Sequence, residues 1–128
     1  MQINDIRASY NVCTIDELES TLRVRSDGNK SCFWLCSDSS QHPTLGVLVR
    51  GDWAYLYYIP REYDPGYHSL AAQGHGCESR MTFSISEYPA DDIEVGGDAV
   101  VSFEVALAAA REFFLTNELP QSIAWFRL

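Results

Sequence analysis

The stretch Thr44-Leu45-Gly46-Val47-Leu48-Val49-Arg50-Gly51-Asp52-Trp53-Ala54-Tyr55-Leu56-Tyr57-Tyr58-Ile59 decides the fold. Two runs rich in branched and aromatic side chains flank Gly51-Asp52, and such runs favour strands. Glycine at the first position of a two-residue turn suits type II′, whose twist matches that of the strands it joins. That turn fixes the register. Val49 then faces Ala54, Val47 faces Leu56 and Leu45 faces Tyr58, which gives one coherent apolar face. The other face carries Trp53, Tyr55, Tyr57 and Ile59 with Leu48, a set of aromatics that suits packing under a helix.

Upstream, Ser31 to Cys36 is apolar on both faces, as a central strand is. Before it, Thr14 is placed to cap a helix, with Glu17 three residues on as a capping box requires. Cys13 and Leu18 fall at the positions of a hydrophobic staple, and Ile15, Leu18 and Leu22 share one helical face. Asp27-Gly28-Asn29 supplies turn chemistry after it.

Downstream, Pro60 to Gly66 is a loop, Tyr67 to Ala72 a strand and Gly74-His75-Gly76 a turn. Arg80 to Ser86 alternates, with Met81, Phe83 and Ile85 opposite Thr82, Ser84 and Ser86, which predicts a strand with one solvated face. Glu87 to Asp98 reads as an acidic loop. A second helix is predicted from Phe103 to Thr116, with Ser102 as its N-cap and Glu104 where the helix dipole favours negative charge. Its core stripe is Phe103, Leu107, Ala110 and Phe114, and Phe113 is also assigned to the core. Asn117 suits a left-handed cap, and Pro120 stops continuation. Gln121 to Leu128 closes the chain as a short strand whose Trp125 belongs in the core. The sum is one α+β domain over residues 1–128: a single twisted antiparallel sheet with two helices on one face.

The 128 residues carry a net charge of −9. That sign disfavours nucleic acid and anionic membranes, since both require phosphates to be neutralised. It suits a basic partner. The distribution is sharper than the total. Between Met81 and Ala110 there is no Lys or Arg, while Glu87, Asp91, Asp92, Glu94, Asp98 and Glu104 lie there. Such a stretch is either a solvated segment or an electrostatic docking surface.

No basic region followed by an apolar stretch opens the chain, and no apolar run approaches the length of a membrane helix, so the expected location is the bacterial cytoplasm. Cys13, Cys32, Cys36 and Cys77 are then expected to be free thiols rather than two disulfides. Cys32 and Cys36 lie on one strand and His75-Gly76-Cys77 in a loop, which does not match the paired ligands of structural zinc. Asp91-Asp92-Ile93-Glu94 lacks the ligand spacing of a calcium loop. There is no nucleophile elbow, phosphate loop or HExxH pair among the residues. The expectation is a protein that needs no cofactor or metal and is not an enzyme.

Three pieces of the chain resemble the Imm1 family of bacterial immunity proteins: Tyr67-His68-Ser69, Phe83-Ser84-Ile85-Ser86-Glu87-Tyr88-Pro89, and the long segment from Val100 to Trp125. The ordered helix, Pro120 and closing Trp125 carry most of the likeness, with Asn117 where the family often has Gly. The members it looks most like are those paired with double-stranded-DNA cytosine deaminase toxins. The resemblance implies a cognate toxin catalytic domain as partner. That domain would be basic, a zinc-dependent deaminase, and bound one to one with its active site occluded. The candidate toxin-binding residues are Glu87, Tyr88, Asp91, Asp92 and Glu94, with Glu62, Tyr63, Asp64 and Trp53 as a second group. Two other functions stay open: a small acidic interaction module of an unrelated complex, and a small hydrolase using His68 with Asp64 or Glu87.

Overall fold

A computed structural model describes residues 1–26, 28–72 and 79–128. In chain order the elements are β1 (Gln2–Asn4), β2 (Ser9–Asn11), α1 (Ile15–Leu22), β3 (Lys30–Cys36), β4 (Thr44–Arg50) and β5 (Trp53–Ile59). They continue with β6 (Tyr67–Leu70), β7 (Met81–Phe83), β8 (Ile93–Val95), β9 (Val101–Ser102), α2 (Phe103–Thr116) and β10 (Ala124–Arg127). The main sheet has eight strands in the order β10-β6-β5-β4-β3-β1-β2, with β9 also paired to β5. Strands β7 and β8 form a separate two-stranded ribbon.

The central hairpin adopts the predicted register: Val49 opposes Ala54, Val47 opposes Leu56 and Leu45 opposes Tyr58. Gly51 sits at φ 60° and Asp52 is not among the residues of positive φ, as a type II′ turn demands. Leu45, Val47, Val49, Ala54, Leu56 and Tyr58 pack in one cluster with Leu18 and Leu22 of α1 and Leu107, Ala110 and Phe113 of α2. Both helices therefore lie on one face of the sheet, and the α+β architecture is as expected. Tyr58 is the junction of that core, with its ring about 6 Å from those of Phe113, Trp125 and Tyr67.

Helix α1 starts as the sequence indicates. The Glu17 amide donates to Thr14 Oγ1 at 3.1 Å, and the Glu17 carboxylate accepts from the Cys13 amide and the Thr14 hydroxyl. Cys13 itself is exposed, so the expected staple does not form, and neighbouring Val12 is buried in its place. Helix α2 is capped by Ser102, whose Oγ accepts from the Val105 amide, and ends at Asn117 with φ 55°. Asn tolerates that left-handed conformation at little cost. Phe113, not Phe114, is the fully buried ring; Phe114 is only partly covered.

The second face differs from expectation. Among the described residues no α-helix covers its aromatics. Cys32, Leu48 and Tyr55 pack instead against Phe83 of β7, Ala99 and Val100, with Ile93 and Val95 of β8 alongside. The predicted strand from Arg80 to Ser86 is shorter than expected, and Ile85 points outward. Ser86 Oγ receives the Tyr88 amide and donates to Asp91, a local turn that competes with the ladder and ends the strand. The predicted acidic loop is therefore built structure: a 3₁₀ turn at Pro89–Asp91, β8, and a second 3₁₀ turn at Gly97–Ala99. The turns placed on Gly74-His75-Gly76 and on Asp27 lie outside the described residues.

One buried hydroxyl closes a gap in the sheet. The outer edge of β5 is shared: β9 pairs with Trp53 and Ala54, β6 with Tyr57 and Tyr58. Leu56 falls between them. Its amide donates to Ser69 Oγ at 3.0 Å, and that hydroxyl donates to the Ala99 carbonyl at 2.7 Å. Ser69 is fully buried, so Ser69→Ala leaves a donor and an acceptor unmatched. The expected loss of stability is about 1–3 kcal/mol. Phe113→Ala should cost about 3–5 kcal/mol, as large core truncations do. Denaturant unfolding of the two variants beside Phe114→Ala checks both, with Phe114→Ala the mildest of the three.

Candidate functional site

The first group of candidate residues sits on the β7–β8 ribbon and the 3₁₀ turn that joins its strands. Tyr88 and Asp91 are exposed at that turn. The acids of this segment lack bases in sequence but meet them in space. Glu87 lies 3.3 Å from Arg7, Glu94 2.9 Å from Arg80 and Asp92 4.0 Å from Lys30. Glu104, on α2, lies 3.3 Å from Arg23. The Arg7–Glu87 and Arg80–Glu94 pairs are exposed on both sides, and such pairs contribute little to stability. Among the described residues no cation reaches Asp91.

Asp92 differs from its neighbours. Its carboxylate is largely covered, and Oδ1 is buried without a hydrogen-bond partner among the described residues. It borders a cleft of about 320 Å³ between the Asp5–Arg7 turn, the start of β3 and the ribbon. Cys32 lines the same cleft. Burial pushes its thiol up to about 12, which makes it a packing residue and not a nucleophile. Cys36 is shifted up for the same reason.

The second group does not hold together as one patch. Glu62 and Tyr63 are exposed on the loop after β5, and Tyr63 is 95% exposed at φ 66°. A tyrosine in that conformation must be held by its surroundings. Asp64 does the holding. Its side chain is only 5% exposed and accepts Arg127 through both oxygens, at 2.5 and 3.0 Å, and the Gly66 amide at 2.8 Å. Tyr57 fixes the same loop by donating its hydroxyl to the Pro65 carbonyl. Trp53 lies apart, at the turn end of β5, where it shares a depression with Arg80 and Met81 of the ribbon's side. The structure thus places Trp53 beside Arg80, the partner of Glu94.

His68 does not form a dyad with Asp64. Its Nδ1 stands 2.9 Å from the Ser69 carbonyl oxygen, and its ring is stacked between Tyr55 and Phe126. Glu87 is occupied by Arg7. Among the described residues no cluster of three or more His, Cys, Asp or Glu side chains is placed to hold a metal. His75 and Cys77 lie outside them. No helix of the described residues is long and apolar enough to cross a membrane.

Sequence reasoning missed one surface. Trp34, Tyr57, His68 and Phe126 stand in register across the helix-free face, beyond the part the ribbon covers. Their aromatic character was visible. Their alignment was not, because the pairings of β6 and β10 depend on the tertiary fold.

The described residues thus offer charged and aromatic surfaces carried on the main sheet and its ribbon. The chain belongs to the Imm1 family of immunity proteins, whose model matches residues 10–127. It is also similar to a double-stranded DNA deaminase immunity protein from Burkholderia cenocepacia (strain H111), with 24% identity over 128 residues that span all of both chains.

The Asp64 pair yields a pH test. Hydrogen bonding from Arg127 holds the Asp64 carboxyl below its ordinary value, opposed by burial and aided by the Gly66 amide. A depressed carboxylate stabilises the fold above its unfolded pKa of about 3.9 and loses that contribution as pH falls through the folded value. Asp64→Asn should therefore melt below wild type at pH 7. The gap should hold down to about pH 4 and close below it. Thermal melts of both proteins from pH 7 to pH 2.5, roughly the span over which a carboxylate titrates, would show it.

Proposed function

We propose that this protein binds the catalytic domain of a cognate bacterial toxin, a nucleic-acid deaminase, and neutralises it by occluding the substrate groove. Membership of an immunity family supports a toxin as partner, and the similarity to a double-stranded DNA deaminase immunity protein from Burkholderia supports a deaminase. The observation that carries the mechanism is the acidic ribbon, with Glu87, Asp91 and Glu94 exposed on folded backbone. A deaminase acting on nucleic acid needs a basic groove leading to its zinc-bound water. Carboxylates spaced along a rigid ribbon present negative charge where phosphates would lie. The inhibitor then acts by exclusion, one to one, and performs no chemistry of its own.

Binding of this kind is steered by charge. Long-range attraction raises the association rate, and salt screens it over about 8–10 Å at physiological ionic strength. The structure selects which acids to reverse. Asp92 is covered and beside Lys30, so a second cation there would disturb the fold. Glu87, Asp91 and Glu94 are exposed. The Glu87→Lys, Asp91→Lys, Glu94→Lys triple variant should associate with the cognate toxin domain at least about tenfold more slowly than wild type. Its rate should also depend less on salt, while its melting temperature stays near wild type. Stopped-flow association at two salt concentrations decides the matter, and equal rates with equal salt slopes would move the contact away from the ribbon.

A further inference from the structure

The helix-free face of the sheet is only partly covered. Ribbon β7–β8 packs over Cys32, Leu48 and Tyr55. Two residues further along the strands, the register sets Phe126 of β10 opposite His68 of β6, His68 opposite Tyr57 of β5, Tyr57 opposite Gly46 of β4, and Gly46 opposite Trp34 of β3. With strands about 4.8 Å apart, the row spans about 19 Å. Phe126 is 52% exposed, and the other three rings are half-buried.

The row is held in shape. His68 and Phe126 stack at 5.1 Å with planes 20° apart. Trp34 meets Tyr57 edge-on at 6.4 Å. Gly46 makes that possible: a Cβ there would fall 2.6 Å from Trp34 Cζ3, so the indole lies directly on the β4 backbone. Tyr57 is fixed at its far end by Pro65, on the loop that displays Tyr63. Rings fixed before contact lose little entropy on binding.

Both ends of the row lead to acids. Beside Phe126, Arg127 grips Asp64 of the loop that carries Glu62 and Tyr63. Past Trp34, the pairing continues to Asn4 of β1, and the turn after it carries Arg7, bound to Glu87. Rings flanked by exposed carboxylates, Glu62 at one end and Glu87 at the other, favour a surface rich in arginine, because guanidinium groups stack on rings and pair with carboxylates.

We propose that the Trp34–Tyr57–His68–Phe126 row, with Tyr63 at its rim, is the anchor on which the arginine-bearing wall of the toxin's substrate groove seats. This rests on the toxin-binding function proposed above and assigns a different task to different residues. The ribbon's acids govern how fast the partners meet. The aromatic row governs how long they stay, as buried aromatic anchors do.

The probe is the catalytic domain of the cognate deaminase toxin, and the readout is the rate constants for association and dissociation. Phe126→Ala should raise the dissociation rate about tenfold or more, and Phe126→Ala with Tyr63→Ala by about a hundredfold. Association should change by less than about threefold. Both side chains are exposed, so melting temperature should hold, and it is measured on the same samples. Gly46→Ala, which displaces the Trp34 ring, is the second variant and should act on dissociation in the same direction. Wild-type binding with unchanged dissociation in the double variant overturns the anchor and leaves the toxin-binding function standing. No wild-type binding removes that function, and the anchor with it.

Discussion

A two-residue turn at Gly51-Asp52 decides which face every side chain of the central strands occupies. Side chains alternate along a strand, so a slip of one residue would exchange the two faces of the hairpin. In the register that forms, small and aliphatic side chains point toward the helices: Val49 and Ala54, Val47 and Leu56, Leu45 with Tyr58. The aromatics Trp53, Tyr55 and Tyr57 are sent to the other side. The helices cover a surface that close packing completes. The aromatic side is left to a ribbon of two three-residue strands, which is too small to bury it all. The partly exposed row is thus a consequence of the turn.

The same hairpin explains why Ser69 is buried. Strand β5 carries two partners on its outer edge, and neither can reach Leu56. A buried amide without an acceptor costs more than a hydrogen bond normally contributes. A serine on β6 supplies the acceptor and ties in Ala99, hence the 3₁₀ turn that leads into β9 and α2. The segment from Gly97 to α2 is anchored to the sheet at that point. The Ala71 amide, bound to the Asp98 carbonyl, adds a second tie.

The elements specified by local chemistry were legible in the residues. The hairpin register followed from Gly51, both helix starts from Thr14 and Ser102, and the end of α2 from Asn117. What depended on distant partners was not. The segment from Glu87 to Asp98 read as a loop because β8 is three residues long and its partner β7 equally short. Phe113 and Phe114 are adjacent on α2, and only the position of Tyr58 beneath the helix makes Phe113 the buried ring. Asp64 looked like an exposed acid in a Pro-bounded loop, but Arg127 lies 63 residues away. Among the candidate residues, Glu87, Tyr88, Asp91 and Glu94 do lie exposed on one ribbon and its turn, whereas Asp92 is drawn toward distant Lys30 and Asp64 toward Arg127 as well as its neighbour Arg61.

Pairing of the ribbon's acids does not abolish the field that steers a basic partner. Of the six acids between Met81 and Ala110, four meet a cation in space. Those cations belong to the same chain, so the net charge of −9 already includes them. At distances beyond the pair separation a partner senses the net charge, and at contact it senses each exposed oxygen. The exposed pairs Arg7–Glu87 and Arg80–Glu94 contribute little to stability, so they hold their carboxylates only weakly. Far from the surface the protein acts as a uniformly acidic body. Close to it, charge alone distinguishes poorly between the ribbon and other acidic surface, and orientation must come from shape. On the helix-free face the aromatic row supplies such a shape, since its rings are held by stacking, by the close approach of Trp34 to Gly46 and by the Tyr57 hydrogen bond.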